Sequence, residues 1–436
     1  MHNSQDKFQL RGNPAQNRAI LHDAGPALVL AGPGSGKTFV ITERAEYLIR
    51  ARHVSPAKVL TLTFTRAAAY EMKARFMKNT GGRYPEPVFS TFHAYFYAIL
   101  RKYAGYTLRH LDANEIDFND MVISAHKLLM EQPEVLSALQ QTYTYLQVDE
   151  FQDVSPLQYE VIRMIAGDAC NLFCVGDDDQ SVYAFRGADP DLMKRFVASV
   201  KGVQVLHLNI NYRCRERIIG LSKALIKRNR HRFQKKVKPG RKDERGKLYF
   251  HPYKDSEEEI RDVLCAFYAV RKEGRSAAII VRTNEERERI LRRGKILRYA
   301  QNDKAAEACY NADEHCVMTM HHAKGLEFDT VFLPRLNEGI LPVHRSKETG
   351  RLEEERRLLY VGITRARMQV YLSCVVADGR DGIPSRFLKD ILPYLRKHGT
   401  CAIFQDAHPA QNKKGSKQRI EGFGTVMRGT LSARLS

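Results

Sequence analysis

The chain has 436 residues, with 70 lysines and arginines against 50 aspartates and glutamates, so its formal net charge is +20. This length allows two or three domains, and the positive excess favours a polyanionic partner, with nucleic acid ahead of an anionic membrane. No apolar run reaches the length of a bilayer span, the first residues lack the apolar core of a signal peptide, and the cysteines form no CxxC pair. We therefore expect a cytoplasmic protein without a membrane partner, a zinc site or a disulfide framework.

The first informative element is a glycine-rich loop, Ala31-Gly32-Pro33-Gly34-Ser35-Gly36-Lys37-Thr38. It lies between an apolar run at 27–30, which predicts a strand, and a helical pattern at 38–49. Glycines in this context let backbone N–H groups surround phosphate oxygens, with the positive end of the helix dipole behind them. Lys37 would contact the outer phosphates, and the Thr38 hydroxyl would bind Mg²⁺. The loop predicts binding of a nucleoside triphosphate; the alternative is a chance glycine-rich turn.

Further apolar runs at 58–63, 171–175 and 203–208 are each followed by a helical pattern. This βα alternation predicts a parallel sheet with right-handed crossovers. Phe64 follows the first of these runs and is either a core residue or an exposed stacking platform, and spacing alone favours the core. His93 follows a similar strand-and-turn pattern, and a lone histidine of this kind is usually structural.

Two adjacent carboxylates, Asp149 and Glu150, follow an apolar strand pattern at 145–148. Asp149 can hold Mg²⁺ directly or through water, and Glu150 can polarise the water that attacks a triphosphate. The alternative, two acids in a surface turn, is disfavoured because Phe151-Gln152-Asp153 follows and a phosphate loop precedes.

A polar loop at 176–189 follows the strand pattern that ends at Val175. Ligands of open α/β sheets bind at the carboxyl edge of the strands, where this loop would lie. Gln180 could sense a γ-phosphate, and Phe185 and Arg186 could contact a base and a backbone phosphate of nucleic acid. The alternative interpretation of this loop is an acidic surface turn.

Taken in order, these motifs resemble those of the UvrD/Rep/PcrA-type superfamily I DNA helicases, over residues 10–392 approximately. The resemblance implies that Gln16, in Asn13-Pro14-Ala15-Gln16, contacts adenine. It also implies that the phosphate loop, the Asp149–Glu150 motif and the 175–189 loop bind ATP·Mg²⁺ and couple its hydrolysis to DNA. The segments that contain Phe64 and His93 resemble those that lie along single-stranded DNA in the family.

The second half continues the resemblance. Asn211-Tyr212-Arg213-Cys214 resembles the family's Asn-Tyr-Arg-Ser, which implies that Tyr212 stacks near adenine and that Arg213 reaches the γ-phosphate. The stretch 319–328 is similar to the DNA-contact and coupling loop, which implies DNA contact by His321 and nucleotide contact by Glu327. The stretch 353–366 resembles the last helicase motif, in which Arg365 would act as an arginine finger. Arginine chemistry suits this role, because the guanidinium group stays protonated while charge develops on the phosphoryl oxygens.

The resemblance implies an α/β fold of two RecA-like lobes with parallel sheets, a P-loop NTPase in which accessory insertions are largely absent. We expect an ATP-binding lobe at 1–207, a C-terminal lobe at 208–395 and a basic flexible tail at 396–436. Little sequence separates His93 from residues 116–120, which resemble the stretch after the family's first insertion. The segment 294–314 resembles nothing in the family and is predicted to be a loop or a short irregular insert.

These observations predict an ATP-dependent 3′–5′ DNA helicase or translocase, of the isomerase class, that acts on single-stranded DNA and its junctions with duplex in repair, replication or recombination. One alternative is a DNA-stimulated translocase without autonomous unwinding, because the accessory insertions are reduced. Another is a decayed nucleic-acid-binding module, which is disfavoured because the predicted catalytic residues are present. They are Lys37, Asp149, Glu150, Gln180, Arg213 and Arg365.

A stretch rich in basic residues, the basic run, follows the Asn-Tyr-Arg motif, and its only acidic residues are Asp243 and Glu244. It is either a patch that follows nucleic-acid phosphates or a solvated helix face and loop, and the basic composition favours the nucleic-acid contact. Its members are Lys223, Lys227, Arg228, Arg230, Arg232, Lys235, Lys236, Lys238, Arg241, Lys242, Arg245 and Lys247.

Overall fold

The computed structural model describes residues 8–106, 118–241, 245–299, 315–343, 349–377 and 382–401. The chain divides into two compact units. The first contains the described residues up to Tyr212 together with His231–Lys238, and the second contains Arg213–Arg230 and the described residues from Pro239 onward. The chain therefore passes between the units three times. The single boundary predicted after residue 207 does not capture the return of His231–Lys238 to the first unit.

The first unit is built on a six-stranded parallel sheet with the strand order β3-β2-β4-β5-β1-β6. All these strands point the same way, so the loops that follow them meet at one edge of the sheet. The strands are β1 (Ala27–Ala31), β2 (Val59–Thr63), β3 (Val88–Thr91), β4 (Tyr145–Val148), β5 (Leu172–Gly176) and β6 (Gln204–Leu208). A short strand β7 (Ile210–Asn211) follows β6.

Helices cover both faces of this sheet, because alternate residues of each strand point to opposite sides. In β1, Leu28 and Leu30 belong to one hydrophobic cluster, and Ala27, Val29 and Ala31 belong to another. The helices of the unit are α1 (Pro14–Ile20), α2 (Lys37–Arg50), α3 (Arg66–Thr80), α4 (Phe92–Tyr103), α5 (Phe118–Glu131), α6 (Pro133–Thr142), α7 (Pro156–Ala166) and α8 (Leu192–Ser199).

Two threonines explain why the chain turns sharply from strand to helix after β2 and after β3. The Thr65 hydroxyl accepts a hydrogen bond from the Ala68 N–H at 3.1 Å, and the Thr91 hydroxyl accepts one from the Ala94 N–H at 3.2 Å. Each threonine thus satisfies one of the N–H groups that the first helical turn leaves without a partner. These caps fix where Phe64 and His93 lie at the sheet edge.

The second unit contains another six-stranded parallel sheet, with the strand order β11-β10-β12-β13-β9-β14. Its strands are β9 (Lys247–Tyr253), β10 (Ala277–Val281), β11 (Val317–Thr319), β12 (Phe328–Leu333), β13 (Ala366–Val375) and β14 (Thr400–Cys401). A short strand β8 (Lys238–Pro239) precedes them. The two parallel sheets confirm the predicted α/β class with two RecA-like lobes.

Helices again flank the sheet of the second unit. They are α9 (Glu216–Ile226), α10 (Ser256–Lys272), α11 (Asn284–Tyr299), α12 (Thr349–Ile363) and α13 (Arg386–His398). Among the described residues, no helix is both long and apolar enough to cross a lipid bilayer.

Two expectations about segments need correction. Residues 294–299 form the end of α11 rather than a loop, because the helical pattern that starts at Asn284 continues without a break. The rest of the predicted insert, 300–314, lies outside the described residues. The predicted start of the tail at residue 396 is also wrong, because α13 extends to His398 and β14 follows it, and residues 402–436 lie outside the described part of the chain.

Candidate functional site

The glycine-rich loop joins β1 to α2 and has the geometry of an anion-binding turn. Gly34 and Gly36 have φ angles of 63° and 84°, a region that glycine adopts without strain. The Ser35 hydroxyl donates to the Gly32 carbonyl at 2.7 Å and closes the turn. Gly36 caps α2 without a side-chain hydrogen bond, so the first N–H groups of the helix are presented at the loop.

Gln16 packs against this loop and is buried. Its Nε2 donates to the Ser35 carbonyl at 3.0 Å, and its Oε1 accepts from the Asn13 N–H at 2.9 Å. A Cβ atom at Gly36 would lie 2.7 Å from Gln16 Nε2, so this approach requires the glycine. Asn13 Nδ2 also donates to the Tyr212 hydroxyl at 2.7 Å. The two predicted adenine contacts, Gln16 and Tyr212, therefore share Asn13 as a hydrogen-bond partner.

The predicted hydrolysis residues follow β4 and face the loop. Lys37 Nζ lies 3.3 Å from Glu150 Oε1. Asp149 is buried, and this burial, together with the neighbouring Glu150 carboxylate, raises the pKa of Asp149 to about 7. A bound cation would favour the ionised form of this carboxyl group and so offset the effect of burial on its pKa. Carboxylate and hydroxyl oxygens are also ligands that Mg²⁺ prefers. Asp149 and Thr38 therefore fit the metal that an ATPase needs.

Gln152 connects the two carboxylate motifs, a role that the sequence pattern did not assign to it. Its Nε2 donates to Glu150 Oε2 at 2.5 Å, and its Oε1 accepts from the Asp177 N–H at 2.9 Å. The side chain fits because Gly176 has no Cβ; one would lie 2.8 Å from Gln152 Oε1. Gln180 Nε2 donates to Asp177 Oδ2 at 2.6 Å. A continuous chain of polar contacts thus runs from Lys37 to Gln180.

The acidic loop after β5 is buried and is not the surface turn that the sequence also allowed. The oxygens of Asp177, Asp178 and Asp179 lie within 4.8 Å of one another. Arg232 forms two parallel hydrogen bonds with Asp179, at 2.8 and 2.7 Å, and the Lys235 ammonium group contacts all three carboxylates. These two members of the basic run bind carboxylates of the protein, which corrects the nucleic-acid role predicted for them.

The second unit brings together the remaining predicted nucleotide contacts. Arg213 Nε donates to Glu327 Oε2 at 2.6 Å, and Arg367 forms a second ion pair with the same carboxylate. Burial would raise the pKa of Glu327, but the hydrogen bonds and charges of Arg367 and Arg213 outweigh it and lower the pKa. Arg365 is buried, and its guanidinium group donates to the Val361 carbonyl at 3.0 Å and to the Leu326 carbonyl at 3.2 Å.

The predicted DNA contacts of the first unit follow strands β2, β3 and β5 of its sheet. Phe64 is partly buried, and its ring centroid lies 4.9 Å from that of Phe92. His93 is half-buried, which lowers its pKa and favours the neutral imidazole. Phe185 is 63% exposed, and the Arg186 guanidinium group lies 5.4 Å from its ring centroid. In the second unit, His321 lies in the turn that follows β11.

Two parallel sheets, a phosphate-binding loop after β1 and a carboxylate pair after β4 of the same sheet define the P-loop NTPase class. A model of the UvrD/REP helicase N-terminal domain matches residues 12–107 and 103–201, and a model of the UvrD-like helicase C-terminal domain matches 206–293 and 294–377. The chain belongs to the UvrD/Rep/PcrA-type superfamily I helicases. The second match includes 294–314, so the expectation that this segment resembles nothing in the family was wrong.

Individual relatives agree with this assignment. The chain is 26% identical to the "Putative ATP-dependent DNA helicase YjcD" of Bacillus subtilis, over 88% of this chain and 82% of that protein. It is 30% identical to the ATP-dependent DNA helicase PcrA of Bacillus subtilis, over 52% of this chain and 40% of PcrA. For the PcrA of Staphylococcus aureus strain Mu50, the identity is 28%, over 63% of this chain and 48% of PcrA. The matched region thus spans less than half of each PcrA.

The match to YjcD extends over 621 aligned positions, more than the 436 residues of this chain. YjcD therefore contains long segments that have no counterpart here. This agrees with the prediction that accessory insertions are largely absent from the chain.

Proposed function

We propose that this protein hydrolyses ATP in response to single-stranded DNA and uses the energy to move along the strand in the 3′–5′ direction. The observation that carries this proposal is the network Lys37–Glu150–Gln152–Asp177–Gln180, which links the phosphate loop to the acidic loop. Membership of the UvrD/Rep/PcrA-type family and the net charge of +20 support a DNA partner.

The backbone of Glu150 supports a catalytic role for this residue. Its φ and ψ angles are 51° and 45°, a left-handed conformation that residues with a side chain rarely adopt. Such a conformation costs about 1–3 kcal/mol and persists where the surrounding structure requires it, which is common at active sites. It directs the Glu150 carboxylate toward Lys37 on one side and Gln152 on the other.

Each residue of the first unit then has a chemical task. Lys37 and the loop N–H groups bind the β- and γ-phosphates, while Glu150 accepts a proton from the attacking water. Gln180 senses the γ-phosphate through its amide. Thr38 and Asp149 would hold Mg²⁺, which would supply positive charge to neutralise the phosphates when bound.

Arg213 and Arg365 would supply positive charge to the γ-phosphate. An arginine that approaches the γ-phosphate stabilises charge in the transition state and is worth about 10³–10⁵-fold in rate in related chemistry. In the structure, Arg213 pairs with Glu327, so Arg213 would exchange this carboxylate for phosphate oxygens when ATP binds. Tyr212 and Gln16 would hold the adenine base.

Single-stranded DNA would lie over Phe64, His93, Phe185, Arg186 and His321. Stacking of bases on aromatic rings contributes about 1–3 kcal/mol per base and tolerates any sequence, so we expect little sequence preference. The exposed Phe185 ring beside Arg186 supports this proposal most directly. Processes that expose single strands, such as DNA repair, replication and recombination, would supply the substrate.

ATP turnover of the full chain tests the proposal, measured without polymer and with single-stranded DNA, duplex DNA or RNA. We expect strong stimulation by single-stranded DNA. Lys37→Ala should lower the stimulated rate by at least about 100-fold while strand affinity stays close to the wild-type value. Lys201→Ala is the matched control, because Lys201 is an exposed lysine of the same unit. Retention of turnover by Lys37→Ala would contradict the proposal.

A second candidate function is a translocase that does not separate strands by itself. It is favoured by the short chain segment between His93 and β4, because this segment leaves little room for an accessory domain. The structure describes three helices there, α4, α5 and α6, and residues 107–117 lie outside the described residues. A strand-displacement assay beside the ATPase assay separates the two functions. Hydrolysis with displacement supports the helicase, and hydrolysis without displacement supports the translocase.

A further inference from the structure

The segment His231–Lys238 returns to the first unit and contacts both parts of the proposed ATP site. At one end, Val237 packs against the phosphate loop, and a Cβ atom at Gly32 would lie 3.1 Å from Val237 Cγ2. At the other end, Lys235 and Arg232 bind the three aspartates of the acidic loop. The segment therefore bridges two loops that would contact the same nucleotide.

Lys235 limits the excess negative charge of this cluster. Three carboxylates face one ammonium and one guanidinium group, so the formal charge is −1 with Lys235 and −2 without it. The side chains of Lys235 and Asp177 are almost fully buried, so water screens the carboxylates little. Burial already raises the pKa of Asp178, and Lys235 opposes that rise. Loss of Lys235 would force these carboxylates to separate or to take up a proton.

Asp177 connects Lys235 to the reaction. One oxygen of its carboxylate contacts the Lys235 ammonium group, and the other accepts the Gln180 Nε2 hydrogen bond at 2.6 Å. Its backbone N–H donates to Gln152 at 2.9 Å, and Gln152 contacts Glu150. The position of the Asp177 carboxylate therefore helps to set the orientation of the Gln180 amide.

We propose that Lys235 is a positioning residue for ATP hydrolysis, which holds Asp177, and through it Gln180, in the arrangement that the γ-phosphate requires. This inference rests on the ATPase activity proposed above. The Lys235 ammonium group lies where a cation would have to sit among the three aspartates, so the cluster is an ion-pair network. Lys235 itself contacts neither ATP nor DNA in this account.

The test uses the full chain with saturating single-stranded DNA and compares Lys235→Met, Gln180→Ala and the double variant, with Lys201→Met as control. We expect Lys235→Met to lower kcat by about 10- to 100-fold with little change in the KM for ATP, because misplacement of a positioned group acts on the transition state. The double variant should be no slower than Gln180→Ala alone, since both substitutions disable the same group. The control should keep the wild-type kcat.

A purely structural role predicts different results. The losses in kcat would then multiply in the double variant, or Lys235→Met would lower the melting temperature and leave kcat of the folded fraction unchanged. Either result overturns the inference. Adding Asp178→Asn to Lys235→Met restores the cluster charge to −1, and the asparagine oxygen can still accept the Phe233 N–H, which now bonds Asp178 at 2.6 Å. We expect this second change to recover most of the lost kcat.

Asp177→Asn covers the case in which Lys235→Met does not fold, because it removes a buried negative charge instead of leaving one unpaired. It should lower kcat and be non-additive with Gln180→Ala; a wild-type kcat would overturn the inference. If the wild-type chain does not hydrolyse ATP, the proposed function fails and this inference fails with it. If the wild-type chain does hydrolyse ATP and Lys235→Met equals it, only this inference fails.

Discussion

Gly176→Ala tests the link between the two carboxylate motifs. The new Cβ atom would lie 2.8 Å from Gln152 Oε1, 3.2 Å from Met193 Cε and 3.3 Å from the Gln152 backbone nitrogen. Of these three atoms, only the end of the Met193 side chain can move easily. Gly176 has no positive φ angle, so the backbone itself accepts alanine. Gln152 must therefore shift and weaken its bonds to Glu150 and to the Asp177 N–H.

Overpacking of this kind costs about 1–3 kcal/mol, and a buried N–H group that loses its partner costs a similar amount. If about 1.4 kcal/mol of this acts on the transition state, kcat falls about tenfold. The assay is DNA-stimulated ATP turnover, with the melting temperature measured in parallel. Gly294→Ala is the control, because the nearest neighbour of its Cβ is at 3.4 Å. A Gly176→Ala variant with the wild-type kcat would refute the network as a part of catalysis.

Three further substitutions test other parts of the account. Glu150→Gln should lower kcat by about 10²–10⁴-fold, because the general base is lost, and ATP binding measured by titration with a non-hydrolysable analogue should persist. Phe185→Ala should weaken single-stranded DNA binding by about 1–3 kcal/mol, measured by fluorescence anisotropy. An unchanged affinity would show that Phe185 is not a DNA contact. Burial lowers the pKa of His22, so at this residue the unfolded chain binds more protons than the folded chain as the pH falls through 6.5, and the contribution of His22 to stability falls with it. In urea unfolding between pH 7.5 and 5.5, His22→Gln should therefore lose less stability on acidification than the wild-type chain, and an equal loss would contradict the role of His22.

The sequence predicted the parts of the site that lie within one continuous motif. The loop at 31–38 and the pair Asp149–Glu150 follow apolar strands, and the observed strands β1 and β4 begin where those patterns begin. Parallel strands place all such loops at one edge, so the meeting of Lys37 and Glu150 follows from the fold class. This part of the site needed no knowledge of tertiary contacts.

The sequence did not reveal Gln152 or the role of Lys235, and the reasons are physical. Glutamine is usually a surface residue. Only the structure shows that Gln152 is buried between two loops and packs closely against Gly176. Lys235 is one of many lysines in a basic run, and it contacts Asp177, which is 58 positions away. A contact of this range depends on the return of His231–Lys238 to the first unit, and no local pattern indicates that return.

The proposed function requires that ATP hydrolysis drives translocation along single-stranded DNA. Its most direct test is a stopped-flow measurement with strands of increasing length, labelled at either the 5′ or the 3′ end. With ATP, the time at which the protein reaches a 5′ label should increase in proportion to strand length, and Lys37→Ala should give no such signal. An arrival time that does not depend on length, in a wild-type chain that hydrolyses ATP, would contradict the account.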